Sequence, residues 1–288
     1  MQTLRRTPYH RPGTLAEALR LKRADPDARF VAGGTDLLLR LADGRLRAGA
    51  LISLRAIGEL SGLALEGAAL RIGALTCLTD VLEDPLVGRR YPVLVQAVRR
   101  MACEQIRNSA TIGGNLCNAS PCADTAPPLL VLGARARMRG PGGRREVALE
   151  DFFVGPGETC LQADELLEAI LVDPPAAGAR AAFHKLGRVR VDVSLATVAV
   201  LVELDGARCR RARVAAGAVA PLPLRLIPVE DLLEGELLTP ELLARAQELA
   251  AGSVAPITDV RASEEHRRHV VGVFVRRALE GLCAEESA

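Results

Sequence analysis

The sequence has no run of about 18 uncharged apolar residues, and its opening stretch, MQTLRRTPYHRPGTL, holds no apolar core of the signal-peptide kind. Both absences predict a chain without a membrane span that works in the cytoplasm. A charge excess is missing too: 37 basic against 35 acidic side chains leave a net +2, so nothing points to nucleic acid or an anionic membrane as partner. The arginines are scattered or paired (Arg5-Arg6, Arg99-Arg100, Arg210-Arg211, Arg267-Arg268), which reads as solvated faces and ion pairs. The arginine-rich, lysine-poor usage reads as genome bias. Seven cysteines, Cys77, Cys103, Cys117, Cys122, Cys160, Cys209 and Cys283, are an odd number with no CxxC, a poor disulfide framework and a poor zinc site. GxGxxG is absent, which disfavours a Rossmann site, and the lack of GxxxxGK[ST] excludes a P-loop. There is no Ser/His/Asp set and no carboxylate dyad. Of the four histidines, only His266 and His269 have a metal-like spacing; beside Glu264, Glu265, Arg267 and Arg268 they read as a solvated helical face. No repeat or low-complexity tract is evident.

What the sequence does hold is enough apolar content for a large core: 288 residues, 49% hydrophobic and 25% charged, which predicts a globular chain of two or more domains. TLAEALRLKRADPDA carries Leu15, Ala18, Leu19 and Leu21 at helical spacing behind Thr14 as N-cap. RFVAG and ALISL read as short strands around a helix from Leu37 to before Gly44, a small α/β unit. From Glu59 the pattern changes to hairpins, LSGLALEGAALRIGALT and ARARMRGPGGRREVAL, with helices near 79–84, at YPVLVQAVRRMA and at PPLLVLG, and a closing strand in DELLEAILVDP. After PPAAGA, the best linker candidate, three apolar runs (AAFHKLG, VSLATVAVLVELDG, CRRARVAAGAVAP) predict a three-stranded antiparallel meander. Two helices follow, one opening at Thr239-Pro240 and one from about Arg261 to Cys283.

Two stretches carry a glycine pair followed by a small polar residue: VAGGTDLLLR at 31–40 and ATIGGNLCNASPCADTAPP at 110–128. Glycine brings backbone N–H groups close to a ligand without interference from Cβ, and successive exposed N–H groups make an anion-binding concavity. Either alone is an ordinary tight turn. Two of them suit a ligand with two phosphates lying between two subdomains, a pyrophosphate-bearing dinucleotide. Thr35, Thr111 and Asn115 would add side-chain donors, and Asp36 and Asp124 would accept from ribose or ribityl hydroxyls. A β-branched residue at Gly33 or Gly114 is then expected to abolish dinucleotide retention, by filling the pyrophosphate space and forbidding the required φ.

AGGTDLL, QIRNSATIGGNLCNASPCADTAPPLL and DVRASEEHRRHVVGVFVRRAL closely resemble the FAD-binding (medium) subunit of molybdenum hydroxylases, the group of xanthine dehydrogenase, carbon monoxide dehydrogenase and relatives acting on N-heterocycles, aldehydes or aromatic CoA thioesters. The resemblance spans essentially the whole chain. It implies an α+β chain with the vanillyl-alcohol-oxidase-type (PCMH) FAD fold of two subdomains, residues 1–57 and 58–175, and a C-terminal domain, 176–288, of a three-stranded antiparallel sheet with helices. It implies that Ala32, Gly33, Gly34, Thr35 and Asp36 wrap the FAD pyrophosphate and that Thr111, Ile112, Gly113, Gly114 and Asn115 form the second wall. Asp124, Leu167 and Lys185 match further FAD-contact positions, Lys185 near the flavin ring, where the surface is built of loops such as Val189 to Asp192. It also implies partners: a large molybdenum-cofactor subunit that hydroxylates substrate and a small subunit with two [2Fe-2S] clusters that feeds electrons to the FAD here, as a dimer of heterotrimers. No catalytic residue and no metal ligand are expected on this chain. The aromatic CoA branch carries an extra [4Fe-4S] cluster after the second motif, but residues 123–159 hold no cysteine, so no cluster is expected and Cys117 and Cys122 read as packing residues. A stand-alone flavoprotein oxidase and a flavin-free scaffold remain open alternatives.

Overall fold

Helix α1 (Leu15–Ala24) starts where the sequence places its cap: Thr14 is extended (φ −133°, ψ 155°) and its side chain accepts from the Glu17 amide. The structure, a computed structural model, describes residues 7–284; the Arg5-Arg6 pair and the start of the N-terminal stretch lie outside the described residues. β1 (Tyr9–His10), β2 (Arg29–Val31) and β3 (Leu51–Ser53) form a parallel sheet in the order β1-β3-β2. α1 lays Leu15, Ala18 and Leu19 on it against Ile52 and Leu54, and the short α2 (Leu37–Ala42) follows β2. All of β3 is buried, as expected of a parallel strand covered on both faces.

The next region is built on a five-stranded antiparallel sheet. β4 (Leu63–Glu66) and β5 (Ala69–Gly73) make one predicted hairpin. Six helices then follow in the chain: α3 (Leu78–Glu83), α4 (Pro85–Arg90), α5 (Pro92–Arg99), α6 (Glu104–Arg107), α7 (Ile112–Cys117) and α8 (Ala126–Val131). β6 (Arg135–Gly140) and β7 (Gly143–Ala148) make the second hairpin, a small ribbon pairs β8 (Phe153–Gly155) with β9 (Glu158–Thr159), and β10 (Leu166–Val172) inserts between the hairpins to give the order β4-β5-β10-β6-β7. β10 is buried along its whole length. A register shift lies between Leu167 and Ala169, and the intervening Glu168 is held by Arg139 and Arg144, which satisfies its buried carboxylate.

β11 (Arg180–Leu186), β12 (Ala196–Asp205) and β13 (Arg208–Gly217) form the predicted antiparallel meander, and a two-residue strand, β14 (Leu224–Arg225), extends its edge. Helix α9 (Ile227–Leu233) precedes the two predicted helices, α10 (Pro240–Gly252) and α11 (Glu264–Ala284). β12 explains why this strand lacks polar alternation: Ala199 and Leu201 face the core of the second sheet, while Val198, Val200 and Val202 face α9, α10 and α11. A strand covered on both sides has no solvent face to mark. Among the described residues no helix is long and apolar enough to cross a membrane.

Candidate functional site

The first glycine pair lies between β2 and α2. Gly34 is left-handed (φ +78°), a region that glycine enters at little cost, and this turns the chain sharply off the end of β2. Gly33 serves another purpose. A Cβ there would fall 2.0 Å from the Ser109 carbonyl oxygen, so this residue marks where the first unit touches the second. Among the described residues nothing accepts a hydrogen bond from the amides of Gly33, Gly34, Thr35, Asp36 and Leu37. Unpaired N–H groups are rare unless water or a ligand satisfies them.

The second pair has a different job. Thr111 is extended (φ −110°, ψ 153°) and caps α7, its side chain accepting from the Gly114 amide at 3.0 Å. The amides of Ile112 and Gly113 donate to the carbonyls of Thr76 and Ala74 at 3.0 and 2.9 Å, and that of Asn115 to Thr111 at 2.9 Å. A Cβ on Gly113 would sit 2.5 Å from the Ala74 carbonyl oxygen. Four successive amides are therefore spent within the fold, and what this wall offers a ligand is side chains. Asn115 accepts from Thr125 through Oδ1 at 2.6 Å, which leaves its amide nitrogen as a donor.

A third element comes from the C-terminal sheet. Lys185 on β11 donates to Asp124 Oδ2 at 2.6 Å and to the Arg100 carbonyl at 3.1 Å, and Ser194 donates to the other carboxylate oxygen of Asp124. Lys185, Asp124 and Ser194 are all buried. Burial pushes the Asp124 carboxyl above the usual range, against the opposing pull of Lys185 and Ser194. Lysine has three donors; two are in use here.

All three elements line one cleft of about 700 Å³, within the size range of cofactor sites. Of the sequence-predicted residues the cleft gathers Ala32 to Asp36, Thr111, Gly113, Gly114 and Asn115, together with Asp124, Leu167 and Lys185. Ile112 is not among them. It is fully buried in the main core and its amide is spent on Thr76, because the side chain of the first residue of α7 points into the fold. Leu167 serves both the cleft and the core. The expected reason for Gly33 and Gly114 needs correction as well: of the four glycines in the two pairs only Gly34 has a left-handed φ, and a Cβ at Gly33 or Gly114 would meet Ser109 or the Thr111 hydroxyl.

Several residues escaped the sequence reading. Arg55, just past β3, donates to the carbonyls of Ala32 and Gly33 and to Ser109 Oγ. Arg40 on α2 reaches Asn118 Oδ1 at 3.4 Å across the cleft. Ser194 joins the Asp124 pair. Nothing local marks these residues, since each acts on a partner more than 20 positions away. Of the loop at Val189 to Asp192, Val191 and Asp192 reach the cleft. Cys117 and Cys122 line it too, and burial pushes both thiols upward, Cys117 to about 12. Among the described residues no group of three or more His, Cys, Asp or Glu side chains could hold a metal ion.

Five amides without an acceptor, a buried lysine with a spare donor and a cleft lined by three parts of the fold fit a diphosphate-bridged cofactor. The family model for the FAD binding domain in molybdopterin dehydrogenase matches residues 3–175, and that for the CO dehydrogenase flavoprotein C-terminal domain matches residues 181–282. The xanthine dehydrogenase FAD-binding subunit of Escherichia coli O157:H7 is 35% identical over 279 residues, 96% of each chain. The carbon monoxide dehydrogenase medium chain of Afipia carboxidovorans is 34% identical over 273 residues, 94% of this chain and 95% of that one. Among solved structures, carbon monoxide dehydrogenase from Hydrogenophaga pseudoflava superposes with a TM-score of 0.94 at 33% identity, covering 97% of this chain and 98% of its own. The chain belongs to the FAD-binding, medium-chain family of the molybdopterin dehydrogenases.

Proposed function

We propose that this chain is the FAD-carrying, electron-transfer subunit of a multi-subunit molybdenum hydroxylase, and that substrate oxidation takes place on another subunit. The observation that carries this reading is the row of unpartnered amides from Gly33 to Leu37 facing a cleft shared by three parts of the fold. Bound FAD would supply the redox chemistry, accepting electrons singly and releasing them singly or in pairs.

In this reading the amides of Gly33 to Leu37 hold the diphosphate, with Ala32, Thr35 and Asp36 shaping the turn around it. Thr111, Gly113, Gly114 and Asn115 form the opposite wall, Asn115 through its side-chain amide. Ile112 takes part only as the core residue that seats this wall. Asp124 fixes Lys185, whose remaining donor would meet negative charge on the ligand, and the spare lone pairs of Asp124 would accept from a ligand hydroxyl. Leu167 on β10 would offer the bound cofactor an apolar contact. The natural division for these roles is residues 1–57, 58–175 and 176–288. This division is supported by three main sheets that each stay within one segment.

The proposed partners are a large subunit with the molybdenum cofactor and a small subunit with two [2Fe-2S] clusters, assembled as a dimer of heterotrimers in the cytoplasm. Affinity purification of the natively expressed chain tests the whole reading. The expected product is yellow, contains one FAD per chain, and carries molybdenum and iron in a large and a small co-purifying subunit. A yellow chain purifying alone would mean a self-sufficient flavoprotein. A colourless chain that takes up no added FAD would end the cofactor assignment.

A further inference from the structure

We infer that Arg55 is a positioning residue that aims the first glycine elbow at the diphosphate; this rests on the FAD reading above. Arg55 lies two residues past the end of β3, next to Leu54, which is buried and donates its amide to the Val31 carbonyl at 2.9 Å. The base of the side chain is thus fixed to the end of the parallel sheet. From there Nε donates to the Ala32 carbonyl at 3.2 Å, and Nη2 donates to the Gly33 carbonyl at 3.2 Å and to Ser109 Oγ at 3.1 Å. None of its ion-pairing capacity goes to an acid: among the described residues no carboxylate forms a salt bridge with it. An exposed arginine that spends three contacts on two successive carbonyls and on the opposite lobe is placed for geometry.

The geometry follows from peptide planarity. In a trans peptide the carbonyl of one residue and the N–H of the next point in opposite directions. Holding the Ala32 and Gly33 carbonyls on one side therefore sends the Gly33 and Gly34 amides to the other side. Those are the first two donors of the unpartnered row, and both residues line the cleft. Free glycine peptides would otherwise turn readily, because glycine has the widest choice of φ and ψ. The same guanidinium ties this turn to Ser109, at the point where Gly33 leaves no room for a Cβ. Its charge also lies behind both peptides, at the carbonyl end of each dipole, and strengthens the amides as donors. Lysine has no planar fork and cannot hold two carbonyls and a hydroxyl with this spacing.

The test uses the full chain stripped of flavin, titrated with FAD and separately with riboflavin, which has the same ring but no diphosphate. Arg55→Ala is expected to weaken FAD binding by about tenfold or more and to leave riboflavin binding and the thermal midpoint of the flavin-free protein unchanged. Arg55→Lys should recover little of the loss, and Ser109→Ala, which cuts only the tie between lobes, should lose less than Arg55→Ala. FAD affinity within twofold of wild type in Arg55→Ala, or a parallel loss of FAD and riboflavin binding, overturns the inference. Wild-type protein that binds no FAD overturns the cofactor reading instead, and this inference with it.

Discussion

The two glycine elbows look alike in sequence and differ in what their backbones do. At the first, amides from Gly33 to Leu37 have no acceptor in the described structure; at the second, those from Ile112 to Asn115 are all satisfied within it. The difference lies in the surroundings. The second elbow runs beside the turn after β5, whose Ala74 and Thr76 carbonyls take its first two amides, and Thr111 takes the next two through its hydroxyl and its carbonyl. The first leaves the edge of a parallel sheet, where Ser109 packs against Gly33 without taking its amide and Arg55 occupies carbonyls, not amides. One motif is a set of donors and the other is a packed frame that presents side chains. A shared Gly-Gly signature therefore carries no shared mechanism.

Substitutions at three glycines would break this contrast most sharply. Gly33→Val drives a Cβ into the Ser109 carbonyl, which forces the lobes apart and displaces the donor row, so FAD retention should be lost altogether. Gly113→Val drives one into the Ala74 carbonyl, inside the fold, and should lower the melting temperature of the flavin-free protein before any cofactor is added. In Gly114→Ala the new methyl meets only the Thr111 hydroxyl closely, at 2.9 Å, and most of the FAD should be kept. At a hundredfold excess over Kd, bound FAD should stabilise wild type by about 2.7 kcal/mol, and this increment should vanish in Gly33→Val alone. Equal FAD loss in Gly33→Val and Gly114→Ala, measured by absorbance after gel filtration, would mean the two elbows act alike after all.

The next effect concerns the charged pair behind the second wall. The chain has two lysines, Lys22 and Lys185, and both are buried. Lys22 donates to the Pro26 and Ala28 carbonyls, and Lys185 to Asp124 and the Arg100 carbonyl. In a chain whose other Lys/Arg positions are all arginine, both lysines stand where a compact ammonium makes two hydrogen bonds. Lys185→Met leaves the buried Asp124 carboxylate without its cation and should cost about 3–5 kcal/mol in urea unfolding. Adding Asp124→Leu should recover much of that loss. If the double variant is no more stable than the single one, the pair contributes nothing beyond packing.

Much of the architecture was legible because its signals are local. Thr14 and Thr239 sit in front of helical runs and do cap them, and both hairpins announce their turns. The short helices α4, α6 and α9 were not legible, being four to seven residues long, too short for helical periodicity to stand out. Neither was β14, which exists only because β13 has an open edge. At the site the motif residues could be read, but not their roles. Whether an amide is free or spent depends on which carbonyl lies opposite it, and Ala74 stands 39 positions from Gly113 in the chain and 2.9 Å from its amide. Arg55, Arg40 and Ser194 were invisible for the same reason.

The smallest expected effect sharpens the contrast from the side of the frame. Thr111 is nearly buried and caps α7 through Gly114, so Thr111→Val removes one capping bond while keeping the shape of the side chain. Loss of an N-cap costs about 1 kcal/mol, and the flavin-free protein should be destabilised by roughly that amount. If the second elbow is a frame, FAD affinity should change by less than about threefold, because 1 kcal/mol of helix stability reaches the ligand only through the position of Asn115. If instead the Thr111 hydroxyl or the Gly114 amide it holds contacts the diphosphate, affinity should fall by as much as it does in Arg55→Ala. Isothermal titration of the two variants side by side separates these outcomes, and equal losses would make the second elbow a donor set like the first.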